Sequence, residues 1–232
     1  MELIKYGGNW ILREEIDLNF VKKINSFFDE NLDIFRKSDE EEKNILSTRG
    51  DDTEQYWTLD KRNGFSINDE EYKKIEKKYS QIVLNTLKSS NILDFNSKFI
   101  DIEATSAWTV IGKEGSYHTV HDHGQRRLPA ISAVLYLKVP DSIPSPKSEN
   151  VLTIGKDEIY LILHTDPSDY YYEPTPNIYH FKPKVGTLLI FPPHIPHGTY
   201  PQNKGIRQTF NIDFQYNYSN SGRLQEKSLS YY

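Results

Sequence analysis

The sequence predicts a mainly β fold, a sandwich or barrel formed by the second half of the chain with N-terminal helices packed on the outside. Up to about residue 98 the apolar residues recur at helical spacing; beyond it they recur at period two or in short runs broken by Gly, Pro and Asn. The strand candidates then follow one another without intervening helices, which argues against a parallel α/β sheet. At 232 residues the chain is read as a single domain: a helical part over 1–98 packing on a β core over 99–218, and a polar tail over 219–232.

In chain order, Asp17 or Asn19 is positioned to cap a first helix that places Phe20, Ile24, Phe27 and Phe28 on one face. Two acidic stretches, Asp39 to Glu42 and Asp51 to Glu54, read as solvated loop. Asn68 with Glu71 three residues on forms a capping box ahead of the stripe Tyr72, Ile75, Tyr79, Ile82 and Val83, which predicts a second helix. Strands are expected at Phe99–Ile111, Ile131–Val139, Glu158–His164, Ile178–Lys182, Gly186–Pro192 and Arg207–Tyr216, with a short one near His121. The connections Pro140–Lys156 and Thr165–Asn177 are long and rich in Pro, Ser, Asp and Tyr. Loops of that length on a β scaffold often cover a site.

Composition narrows the chemistry. Hydrophobic residues make up 37% and charged residues 26%, too apolar for disorder and too charged for a membrane protein. The absence of cysteine excludes disulfides, thiolate metal sites, iron–sulfur clusters and a cysteine nucleophile, so any metal must sit on His, Asp or Glu. No stretch approaches a spanning helix and no leader pattern opens the chain, so the expected location is cytoplasmic. A net charge of −5 gives no general attraction to phosphate backbones, and no nucleic-acid partner is expected. Gly-x-Ser-x-Gly, His-Glu-x-x-His and a phosphate-cradling Gly-rich loop are all missing, against the common hydrolase classes.

The histidines carry the signal. Five of the seven fall into two groups, His118, His121 and His123 in one, His194 and His197 in the other. On an extended strand His121 and His123 project the same way with backbones about 7 Å apart, near enough to share one ion. Asp122 then points away. The second group follows the apolar run Gly186-Thr-Leu-Leu-Ile-Phe191 across a proline-rich turn, where a third ligand can be held rigidly.

Taken in order, Trp108, Gly115, His121-Asp122-His123, Ser132-Ala-Val-Leu-Tyr136, Gly186 to Phe191, His197 and Arg207-Gln-Thr209 resemble the Fe(II)- and 2-oxoglutarate-dependent oxygenases, and within them the prolyl-hydroxylase-like branch. The resemblance covers roughly residues 99–216. It implies a double-stranded β-helix, the cupin-like jelly roll, with Fe(II) on His121, His123 and His197 as the catalytic centre, and 2-oxoglutarate as co-substrate with dioxygen. Arg207 is implied as the cation for the far carboxylate of 2-oxoglutarate, a role that suits a planar guanidinium in a barrel. It lies ten residues beyond His197 across a turn, which predicts neighbouring antiparallel strands for the two. Thr209 shares the arginine's face, and Tyr136 and Ser132 are further candidates for the co-substrate. Trp108, the 140–156 loop and Tyr171 in the Tyr170-Tyr171-Tyr172 run are candidates for the cleft of the primary substrate.

One departure matters. Most members of that superfamily have a carboxylate where this chain has His123, so the site expected here is three neutral imidazoles instead of two and an acid. With dianionic 2-oxoglutarate bound, Fe(II) then carries no net charge, and oxidised iron loses electrostatic support. Asp213 or Glu103 could supply a carboxylate from an adjacent strand. Three imidazoles also suit nickel, zinc or copper, so the ion found after purification need not be the working one. Two rivals stand beside this reading. A cupin-type three-His dioxygenase that does without 2-oxoglutarate is disfavoured because Gly124-Gln-Arg-Arg-Leu128 carries no acid after His-x-His. A non-catalytic jelly-roll binding module stabilised by its ion is the other, and Arg207 separates it from the oxygenase.

Overall fold

The computed structural model describes residues 1–6, 9–39, 48–49, 53–92, 99–123, 130–140, 158–163 and 177–218. Two antiparallel sheets face each other. The larger contains β1 (Glu2–Tyr6), β2 (Asn9–Glu15), β3 (Arg36–Lys37), β5 (Glu54–Asp60), β6 (Phe65–Ser66), β7 (Phe99–Gly112), β9 (Ala130–Lys138), β12 (Thr187–Phe191) and β14 (Arg207–Tyr218). Its order is β1-β2-β12-β9-β14-β7-β5-β3, with β6 on β5. The smaller sheet has the order β11-β10-β13-β8-β4, from β4 (Thr48–Arg49), β8 (Tyr117–His121), β10 (Ile159–Leu163), β11 (Asn177–Phe181) and β13 (His197–Thr199). This is the jelly roll that the resemblance implied, and every strand expected beyond residue 98 forms within two residues of its expected ends.

Helices α1 (Leu18–Asn31) and α2 (Glu70–Ser90) cover the outer face of the larger sheet. Strands buried on both faces explain the apolar runs. On β9 and β12, Leu135, Leu188 and Ile190 face the helices, whereas Val134, Tyr136, Leu189 and Phe191 face the smaller sheet. Phe210 joins helices to sheet, its ring 4.9 Å from Phe28, 5.3 Å from Tyr79 and 6.5 Å from Tyr72. Where the chain turns into β12, Gly186 adopts φ +89°, and a Cβ there would stand 3.1 Å from the Ile16 carbonyl oxygen.

Several expectations are corrected. The stretch before residue 98 is not simply helical: it supplies β1 to β6, because Trp10-Ile-Leu12 and Gln55-Tyr-Trp-Thr-Leu59 lack a 3.6-residue period and are stabilised by pairing with β12 and β7. Glu54 is not solvated loop but opens β5 and pairs with Lys37; residues 40–42 and 51–52 of those acidic stretches lie outside the described residues. The α2 cap is Asp69, accepting from the Tyr72 N–H at 2.8 Å, while Asn68 accepts from Lys73. Both side chains can cap, and the charged one interacts better with the helix N-terminus. Asp17 caps α1 as expected. The long connections at 141–157 and 164–176, and the tail from 219, are outside the described residues. Among those described, no helix is long and apolar enough to cross a membrane.

Candidate metal centre

The site lies between the sheets in a cavity of about 610 Å³, open mouth included. The smaller sheet brings two of the histidines together by register. His197 on β13 pairs directly with His121 at the end of β8. His123 follows two residues later, anchored by its N–H to the Pro193 carbonyl at 2.9 Å. Ring centroids are 4.4 Å apart for His121 and His197, 4.9 Å for His123 and His197, and 5.7 Å for His121 and His123. One nitrogen from each ring falls within 4.8 Å of the others.

Hydrogen bonds select which nitrogen. His197 Nδ1 lies 3.0 Å from the Ile195 carbonyl oxygen, His121 Nδ1 2.8 Å from that of Thr119, and His123 Nδ1 2.8 Å from Asp213 Oδ1. A carbonyl or a carboxylate can only accept, so Nδ1 must donate in each ring and Nε2 keeps its lone pair for the site. Burial, then the charges of its neighbours, pushes His197 well below the usual imidazole range. Burial and the charge of His123 bring His121 down to about 4. Both are therefore neutral, the form that binds metal. His123 goes the other way: burial opposes its charge, but the Asp213 carboxylate outweighs that and raises it. The donor set thus fits a divalent transition metal on three imidazoles.

The opposite wall is polar at period two. On β14, Arg207, Thr209 and Asn211 line the cavity, while Phe210, Ile212 and Phe214 between and beyond them join the helix-side core. Arg207 is buried and reaches across to the smaller sheet, its Nη2 donating to Thr199 Oγ1 at 2.8 Å and facing the Ser116 carbonyl at 3.5 Å. The expected pairing of its strand with that of His197 does not form. β14 pairs with β7 and β9, and the two residues face each other across the cavity from different sheets. Thr209 Oγ1 accepts from Asn211 Nδ2 at 3.1 Å, which leaves its own O–H free to donate. Tyr136, opposite Thr209 in the ladder, is buried and its phenol pushed up by that burial, so it stays a donor. A buried guanidinium with two hydroxyls in one cavity suits a carboxylate.

The remaining candidates are placed as follows. Ser132 is not among the cavity-lining residues; its Oγ lies 2.7 Å from Asp213 Oδ1 and 2.9 Å from His123 Nδ1. Asp213 is hydrogen-bonded behind His123, and Glu103 pairs with Lys61 on the surface. Trp108 lines the cavity, 5.4 Å from His123 and 5.4 Å from Trp57 between ring centroids. His194 is away from the centre, bonded to Asn9 Oδ1 at 2.9 Å. Tyr171 lies outside the described residues.

His118 was missed as a site residue. Two residue steps on β13, from His197 to Thr199, span three on β8, from His121 to His118. That bulge breaks the alternation, so His118 lines the same cavity as His121, its ring 5.6 Å away. Burial, then the charges of His121 and Arg207, keeps it neutral. Asn211 was missed although the alternation of Arg207-Gln-Thr-Phe-Asn-Ile-Asp-Phe214 marks it.

Three imidazoles and a buried arginine line one cavity inside the jelly roll. Residues 106–213, the segment holding the whole constellation, match the family described as "Putative 2OG-Fe(II) oxygenase". That family uses Fe(II), 2-oxoglutarate and dioxygen, and the two rival readings of the histidines are not favoured by the match. No curated protein matches. Among solved structures, a prolyl-4-hydroxylase from Pseudomonas putida superposes at TM-score 0.54 with 14% identity, covering 89% of this chain and 92% of its own. A Trichoplax adhaerens prolyl hydroxylase, solved with a peptide of hypoxia inducible factor, does so at 0.54 with 15% identity, 96% and 87% being covered. HygX from Streptomyces hygroscopicus, solved with nickel, 2-oxoglutarate and hygromycin B, gives 0.50 with 12% identity and coverage of 90% and 83%. At these identities the likeness establishes the shared fold.

Proposed function

We propose that the chain oxidises a primary substrate with Fe(II) held by His121, His123 and His197, while Arg207 holds the far carboxylate of 2-oxoglutarate. The observation that carries this reading is the direction of three Nε2 lone pairs, each fixed by an acceptor behind the ring, into a cavity whose other wall carries the buried guanidinium. Bound iron supplies dioxygen activation coupled to decarboxylation of 2-oxoglutarate to succinate. The chain's own part is orientation and exclusion of water. Thr209 and Tyr136 donate to the carboxylate that Arg207 neutralises. Val134 and Ile159, which also line the cavity, keep that end apolar around the ion pair and strengthen it.

Trp108 shapes the side of the cavity nearest His123, where a primary substrate would enter. A net charge of −5 favours a partner other than nucleic acid. We also assign the chain to the cytoplasm, where 2-oxoglutarate is a central metabolite; cell fractionation checks this. The chain is a single unit in which strands before residue 98 extend the larger sheet.

The test is anaerobic titration of Fe(II)-loaded protein with 2-oxoglutarate, read by visible charge-transfer absorption and by calorimetry. Saturable colour is expected for the wild type. Arg207→Ala should retain iron and lose at least about 100-fold in co-substrate affinity, the scale of removing one side of a buried charge pair. Absence of both colour and heat from the wild type would end the oxygenase reading.

A further inference from the structure

The carboxylate that position 123 does not provide has a counterpart one residue further from the site. Asp213 and Ser132 are directly opposite each other in the β14–β9 ladder, so the sheet register alone holds them together. Ser132 Oγ donates to Asp213 Oδ1 at 2.7 Å, and the same oxygen lies 2.8 Å from His123 Nδ1. Both partners are deeply buried, with side chains 7% exposed for Asp213 and 9% for His123. A buried carboxylate without compensation is costly, so one retained against an imidazole, with a hydroxyl donating to the same oxygen, is a built arrangement.

We propose that Asp213, steadied by Ser132, is the positioning residue of the metal centre, fixing His123 as the Nδ1–H tautomer and returning to it the negative charge that a carboxylate ligand would have brought. His121 and His197 are oriented by backbone carbonyls, which are neutral and survive any side-chain substitution. His123 is the one ligand oriented by an ionisable side chain. This arrangement makes it the strongest donor of the three, since a carboxylate behind the ring raises the basicity of its free nitrogen. The inference rests on the three-histidine metal site of the proposed function and does not depend on 2-oxoglutarate.

The test has two parts. In metal-free wild type at alkaline pH, the ¹⁵N pattern of His123 should be that of an imidazole protonated at Nδ1; an Nε2-protonated ring would overturn the proposal without any variant being made. Then Co(II) affinity is compared across variants. Asp213→Asn keeps the shape and removes the charge, and should bind Co(II) about 10- to 100-fold more weakly; Asp213→Leu, which cannot accept from Nδ1, should in addition lose the Nδ1–H pattern. Ser132→Ala leaves the carboxylate in place, so it should keep that pattern and lose less affinity than Asp213→Asn. A merely structural Asp213 would lower thermal stability while leaving the tautomer and the Co(II) affinity of the folded fraction unchanged, and that result too would overturn the proposal. Wild type that binds Co(II) with the expected tautomer but never binds 2-oxoglutarate would remove the oxygenase reading and leave the role of Asp213 standing.

Discussion

Removing the metal exposes a cost that the buried histidines impose on the fold. His121 titrates near 6.5 when unfolded but at about 4 in the native protein, because burial and its neighbours disfavour the imidazolium. A folded pKa below the unfolded one means that the unfolded chain takes up the proton first. Stability is therefore intact above the unfolded value and is lost as pH falls from there towards the folded value. The full loss is about 3 kcal/mol for this ring, and about 2 kcal/mol of it should fall between about pH 7 and about pH 5. His118 and His197, also lowered, act in the same direction. His123, raised by Asp213, acts oppositely: its contribution is present in acid and lost as pH rises through its folded value. The assay is urea unfolding of metal-stripped protein across this range, with His121→Gln as reference to isolate the single ring. The wild type should lose about 2 kcal/mol more than the variant over that interval. Parallel profiles for the two proteins would refute the burial and neutrality of His121.

Two further substitutions probe how the fold holds the site. A Cβ on Gly198 would overlap Tyr160 Oη and lie 2.9 Å from the His118 carbonyl oxygen, so Gly198→Ala must shift β13 against β8 beside His197. Its Co(II) affinity should fall by about 10-fold or more, read by calorimetry, and Gly198→Ala at unchanged affinity would count against the close packing at that position. Phe210→Ala removes a fully buried ring that ties β14 to both helices and should cost about 3–5 kcal/mol in urea unfolding; a cost under about 1 kcal/mol would mean that the helices dock elsewhere.

What could be read from the sequence follows the range of the physics involved. The apolar runs of β9 and β12 are local and long enough to mark both strands, which the structure buries on both faces. His121 and His197 stand out in the sequence as candidates because histidines are few and their clustering is visible without a fold. His118 was not, since it reaches the cavity through a bulge that depends on how β8 meets β13, and nothing near His118 in the chain encodes that meeting. Arg207 lines the cavity, but on a strand of the other sheet and not on one paired with that of His197; chain separation cannot tell a hairpin from a crossing between sheets. β2 and β5 escaped a periodicity reading because one edge of each is paired with a strand more than forty residues away, as in the pairing of Trp57 with Trp108. Asp213 was considered as a ligand, and its actual place behind His123 follows from its register with Ser132.

The central claim is that one ion sits on His121, His123 and His197. Diffraction from anaerobic crystals of the Fe(II)-loaded protein, collected at the iron edge, tests it most directly. The account predicts a single anomalous peak about 2.1 Å from one ring nitrogen of each of the three residues, with Asp213 behind His123. A peak bonded to the Asp213 carboxylate, or one elsewhere in the molecule, would contradict it.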